Sequence, residues 1–184
     1  MIFQPEAFAQ LVRNPFPALE SLKLNNVRLR AREATQLAGA AFTTTLKELL
    51  LDNCELGVAG VEALVATRFP VLTTLDLSRN RLGSRGGIAL ANAAPSFLVL
   101  TTLKLWDNKL NSDAVTALAD NPLLANLTEL DLNSNKIGPA GAIALANSKY
   151  LKHLKTFTVD EKTVGKKGKQ ALLDRFGEDV ISWR

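Results

Sequence analysis

The 184-residue chain contains one cysteine and one histidine. A lone cysteine, Cys54, excludes an internal disulfide, and it reads as a core residue rather than a reactive thiol. A lone histidine, His153, far from Cys54 in the chain, excludes multi-histidine metal sites and serine triads. No stretch approaches the ~18 apolar residues of a membrane span. The opening residues MIFQPEAFAQ hold neither a basic leader region nor a long apolar run, so no signal peptide is expected and a cytoplasmic location follows as the default. Proline and glycine are not gathered into a linker; they recur at regular spacing, which argues for one cooperative domain.

What the chain has instead is a period. Leu19, Leu46, Leu72, Leu100, Leu127 and Leu154 each open the same phrase, at intervals of 27, 26, 28, 27 and 27 residues. Two copies read LTTLDLSRNRLG from Leu72 and LTELDLNSNKIG from Leu127. Each copy is a supersecondary unit that buries its apolar face only against its neighbours. Within a phrase, Leu103 and Leu105 lie two apart, so strand alternation sends both to one face and Lys104 and Trp106 to the other. With the opening leucine as position 1, position 12 is Gly57, Gly83, Gly138 or Gly165, which points to a positive φ or tight turn. Arg30 and Asn111 hold that position elsewhere, and only the asparagine suits a left-handed conformation. Ser112 is expected to cap the following helix and Pro139 to be the first residue of its own. Leu37, Leu64, Leu90, Leu118, Leu145 and Leu172 all fall at position 19, most of them preceded by an alanine that allows close helix–sheet approach.

The phrase LxxLxLxxNxL, as in Leu100, Leu103, Leu105, Asn108 and Leu110, resembles the leucine-rich repeat over nearly the whole chain. The period near 27 with a helical second half resembles the ribonuclease-inhibitor-like subclass. IGPAGAIALA (137–146) and ALLDRFG (171–177) look like the repeat and the terminal unit of bacterial arrays. The resemblance implies an α/β solenoid: a curved right-handed β-α superhelix with parallel strands on the concave face and helices on the convex face. Residues 1–18 would form an amino-terminal half-repeat, 19–175 six repeats, and 176–184 a carboxy-terminal cap closed by Phe176, Val180, Ile181 and Trp183. It also implies that Asn80, Asn108 and Asn135 turn inward and hydrogen-bond the turn backbone. Val27, Cys54 and Lys162 replace the asparagine in the first, second and last units, and valine and lysine imply looser turns at the two ends.

Nothing in the chain assembles chemistry. Cys54 and His153 fall four units apart, roughly 19 Å at ~4.8 Å per strand, too far for a catalytic pair. DLNSN from Asp131 lacks the glycine of a calcium loop, since Lys136 stands there. GKKG (165–168) matches the register of GVAG and GPAG, so it is a repeat turn rather than a nucleotide clamp. No cofactor and no metal are expected, and the chain reads as a non-catalytic protein-binding module.

Positions 3, 5 and 7 of the strands build the remaining surface. Six acids there (Glu48, Asp52, Asp76, Glu129, Asp131, Asp160) against Lys23 and Lys104 give a formal charge of −4. The whole chain is +4, leaving +8 elsewhere. Trp106 stands in a column of Asn25, Asp52, Ser78, Asn133 and Asp160, where packing does not require an indole. An aromatic within a polar surround is an interface anchor. The expected binding face centres on Trp106, with Asp76, Lys104 and Asp131 flanking it, Leu50 as a second apolar contact, and Asp52, Glu129 and Asn133 nearby. A basic partner protein would suit it, met by a monomer. A rival surface is the basic edge of Arg28, Arg79, Arg81, Lys109 and Lys136, which would suit nucleic acid or an anionic surface but lacks interleaved aromatics. A further alternative makes the chain the recognition part of a larger multidomain sensor, effector or enzyme.

Overall fold

The computed structural model describes residues 5–92 and 96–184; residues 1–4, part of the expected half-repeat and of the leader reading, lie outside them. Helix α1 (Pro5–Arg13) precedes strand β1 (Ser21–Lys23). There follow α2 (Ala31–Ala38), β2 (Glu48–Leu50), α3 (Gly57–Val65), β3 (Thr74–Asp76), α4 (Gly83–Ala91), β4 (Thr102–Lys104) and α5 (Ser112–Ala119). The array ends with β5 (Glu129–Asp131), α6 (Gly138–Ala146), β6 (Thr156–Val159), α7 (Glu161–Phe176) and β7 (Ile181–Trp183). Among the described residues, seven strands form one sheet in chain order, every pair parallel. Strands repeat at ~4.8 Å while packed helices need 8–10 Å, so the stack curves with its strands inside.

Register follows the leucine frame. Leu22, Leu49, Leu75, Leu103, Leu130, Phe157 and Ile181 are aligned neighbours across the sheet. All are buried and face the helices, whose Leu37, Leu64, Leu90, Leu118, Leu145 and Leu172 are buried opposite them. Phe42, Phe69 and Phe97 fill the gap behind the strands, with the last two stacked at 5.5 Å. Close helix–helix approach also depends on absent side chains: a Cβ on Gly87 of α4 would lie 2.6 Å from the Ala114 Cβ of α5. Seven strands exceed the six that the leucine phrases give. Residues 181–183 add an edge strand, Phe176 meets Phe157 edge-on at 5.9 Å, and Trp183 packs half-buried on the core.

The turn after each strand is fixed by the asparagine column. Asn80 Nδ2 donates to Leu51 O at 2.7 Å and Leu77 O at 3.0 Å, while its Oδ1 accepts from Cys54 N at 2.9 Å. Asn108 Oδ1 accepts from Asn80 N at 2.9 Å and its Nδ2 donates to Leu77 O at 2.8 Å. Asn135 continues the series, accepting from Asn108 N at 3.0 Å and donating to Leu105 O at 2.9 Å. Each side chain thus ties its own turn to the preceding unit, and all three are buried with these partners. Cys54 does the donor half of the job: its Sγ donates to Leu24 O at 3.1 Å.

Three local expectations are corrected. Asn111 is not left-handed (φ −103°); it is the N-cap of α5, its side chain accepting from Ala114 N, so Ser112 is the first residue of the helix and not its cap. Arg30 is likewise an extended N-cap. Gly57 and Gly83, with φ of 58° and 61°, do take the turn expected at position 12. The last unit is not loose at Lys162, because Asp160 caps α7 by accepting from Lys162 N at 2.9 Å and a helical turn replaces the repeat's bend.

Candidate functional site

The asparagine ladder delivers positions 7 and 8 to the rim of the open sheet face in a fixed orientation. Position 8 is left-handed in five units: Asn26, Asn53, Arg79, Asp107 and Ser134, with φ between 49° and 62°. The prevalence of asparagine and aspartate in that column was a readable signal for this conformation. Two of these side chains, Arg79 and Ser134, meet position-7 side chains of neighbouring units, whereas Asn53 bonds Asn26 within its own column.

Trp106 occupies this frame. Its Nε1 donates to Ser134 Oγ of the next unit at 3.1 Å, and the Arg79 guanidinium of the preceding unit lies 5.2 Å from the ring centroid. Arg79 is held in turn by Asp52, its Nε on Oδ1 at 2.8 Å and a second guanidinium nitrogen on Oδ2. Asp52 hydrogen bonding holds the Arg79 guanidinium above its usual range. Asp52, Arg79, Trp106 and Ser134, one from each of four consecutive units, therefore form a continuous chain across the rim. The indole stays 36% exposed.

This corrects two expectations. Arg79 belongs to the tryptophan cluster and not to the basic edge. Of that edge, Arg28 is ion-paired with Glu55 at 2.7 Å, while Arg81, Lys109 and Lys136 are exposed and make no ion pair among the described residues. The inner face is also less negative than its formal −4. Lys104 pairs with Glu129 at 3.2 Å, Lys23 with Glu48 at 3.5 Å, and Arg79 reaches in to Asp52. A hydrogen bond from Ser21 Oγ at 2.5 Å holds Glu48 below the usual carboxylate range, against the pull of burial, with Lys23 adding to the effect.

Asp76 and Asp131 make no ion pair among the described residues. They flank Lys104 in register, and each accepts a backbone N–H at 2.9 Å, from Ser78 and Asn133 respectively. Burial pushes the Asp131 carboxyl up, opposed by the Asn133 N–H and Lys104, with Asp76 and Glu129 adding to the rise. Leu50 is half-buried between Lys23 and Asp76, two strands from Trp106. Asn133 is half-buried in the indole's own column, one unit further on. The face thus offers one oriented aromatic, one small apolar step and three carboxylates, Asp76, Asp131 and Asp160, without an ion pair among the described residues.

Cys54 is fully buried, and burial pushes its thiol up to about 11, so it is protonated at neutral pH. His153 is exposed just before the leucine that opens the sixth unit. Among the described residues no group of three or more His, Cys, Asp or Glu is placed to hold a metal ion, and no helix is long and apolar enough to cross a membrane.

One further column escaped the sequence reading. At position 2, Thr73, Thr101 and Thr128 each donate their hydroxyl to the position-2 carbonyl of the preceding unit, at 3.0, 3.1 and 3.3 Å. The register of these threonines was visible, but their partner was not, because it lies one repeat away.

A family profile described as Leucine Rich repeat matches residues 43–65, 70–91 and 124–146. Among solved structures, the chain is similar to one described as "Structural Genomics of Caenorhabditis elegans: tropomodulin C-terminal domain". That likeness has a TM-score of 0.54 and 12% identity, and covers 95% of this chain and 92% of that one. At such low identity it shows the fold alone. No curated protein matches the chain. The three matched segments carry leucine-rich repeats, and the parallel stack of strand–helix units has the fold of a leucine-rich repeat solenoid.

Proposed function

We propose that the chain is a non-catalytic recognition module that binds a partner protein on its concave face around Trp106. Leucine-rich repeat domains in general mediate protein–protein interaction. The observation that carries the finer reading is the half-exposed indole, clamped by Arg79 on one side and Ser134 on the other. An anchor already held in one orientation loses little side-chain freedom on binding, so more of its contact energy appears as affinity. Leu50 supplies a second apolar contact, and Asp76 and Asp131 favour a partner with basic residues at its rim. Lys104, Asp52, Glu129 and Asn133 complete the surround. The helical half of every unit and the period near 27 support a place in the ribonuclease-inhibitor-like subclass, of the bacterial type. A cytoplasmic monomer is the form in which we expect it to act.

The test is an affinity capture from lysate of the source cell with wild type and Trp106→Asp, read by mass spectrometry. A protein recovered by wild type and lost with Trp106→Asp supports the reading. Equal recovery by both removes the concave face from the interaction.

A further inference from the structure

The exposed apolar side chains are not where the indole is. Of the six large hydrophobic residues exposed among the described residues, three (Val71, Leu98 and Val99) cluster in the loops that enter β3 and β4. Leu98 is the most exposed of all, at 66%. Val71 and Val99 occupy the position just before the opening leucine, which in the neighbouring units is Thr45, Asn126 and His153. The apolar residues thus sit in adjacent units on one edge of the solenoid. That edge lies at the amino ends of the strands, opposite the Trp106 rim.

A groove of about 550 Å³ continues from this patch, lined by Val99, Thr101, Asn126, Thr128, His153 and Lys155. Its middle is already satisfied. The Thr101 and Thr128 hydroxyls are bonded to backbone carbonyls, and Asn126 Nδ2 donates to Leu98 O at 2.9 Å. Recognition is therefore left to its two ends. One end is aliphatic. The other holds His153 and Lys155, both exposed and neither in an ion pair among the described residues, and no carboxylate lines the groove.

We propose that this edge is a second docking site, for an extended segment of a partner protein in which an aliphatic or aromatic side chain lies close to a carboxylate. The apolar residue seats on Val71, Leu98 and Val99, and the carboxylate meets Lys155 and His153. From Val99 to His153 is two unit intervals, roughly 10 Å at ~4.8 Å each, or about three residues of extended chain at ~3.3 Å per residue. The recognition pattern is thus an apolar residue and an Asp or Glu about three positions apart, read in either direction. Patches of this kind, apolar with a polar rim, mark interaction surfaces. The reading is independent of Trp106.

The test is selection of phage-displayed random 12-residue peptides on the full chain. Enriched peptides are then measured by fluorescence polarisation against wild type, Leu98→Glu, Lys155→Glu and Trp106→Ala, each checked for an unchanged thermal transition. The expected result is enrichment of peptides with the apolar–acidic spacing. Their affinity should fall at least about tenfold with either edge substitution, ~1.4 kcal/mol, and stay within about twofold in Trp106→Ala. The proposal is overturned by no enrichment over bare support, by enriched peptides without the acid, or by binding that survives both edge substitutions. Peptides lost only with Trp106→Ala would support the concave face and overturn this site.

Discussion

The two faces of the same seven strands obey different rules. Toward the helices, the register position of Leu22 is leucine in five strands and phenylalanine or isoleucine in the last two, all buried. Toward solvent, the adjacent position runs Lys23, Leu50, Asp76, Lys104, Asp131, Thr158 and Ser182. The buried face repeats because each unit must present the same shape to the next. The open face is free of that constraint, so its departures from monotony are where recognition is to be sought. Trp106 is the largest departure.

The comparison breaks most visibly at the asparagine ladder. Asn108→Ala leaves Asn80 N without its side-chain acceptor in a buried turn and removes one of the two side-chain donors to Leu77 O. A loss of about 3 kcal/mol is expected in urea denaturation, whereas the neighbouring exposed Lys109→Ala should stay within ~0.5 kcal/mol. An equal effect of the two would mean that the ladder does not bind the units together.

Cys54 gives the next largest effect, and it depends on pH. Its thiol is raised from 9.0 to about 11 in the fold, so the unfolded chain ionises first as pH rises. The stability it contributes is whole below pH 9 and is lost between pH 9 and about 11, to the extent of roughly 2–3 kcal/mol. Wild type should therefore show a steeper alkaline fall than Cys54→Ala, read as urea midpoints across that range. Parallel curves would deny that the thiol is buried as described.

Trp106→Ala is expected to lower stability by less than about 1 kcal/mol, because the indole makes one hydrogen bond and one cation–π contact at a half-exposed site. A thermal transition lowered like that of Asn108→Ala would turn the residue from anchor into core. Asp131→Asn should have the smallest effect, a few tenths of a kcal/mol in favour of the variant at neutral pH. Burial raises the wild-type carboxyl, so ionisation costs the fold above that carboxyl's own pKa. The gap between variant and wild type should close as pH falls through it, and a gap that widens in acid would reverse the assigned cause.

Most of the fold was legible because leucine, glycine and asparagine columns recur at one period, and the period fixes register. The seventh strand was not, since Ile181–Trp183 carries no opening leucine; only the two-residue spacing of Ile181 and Trp183 hinted at it. The site was legible as a set of positions and not as a set of directions. Arg79 was grouped with the basic edge because it stands one residue from the asparagine column, yet its guanidinium reaches Trp106 and Asp52. Asn111 shows the same ambiguity, since asparagine serves equally as a left-handed residue and as a helix cap. Only the backbone of its own unit decides between them.

The most direct test of the concave-face account is the dissociation constant of the captured partner for wild type and for folded Trp106→Ala, by titration calorimetry at physiological salt. Weakening of at least about tenfold, ~1.4 kcal/mol, is expected of a central aromatic anchor. An unchanged constant, with the partner still bound, would contradict the placement of recognition on this face.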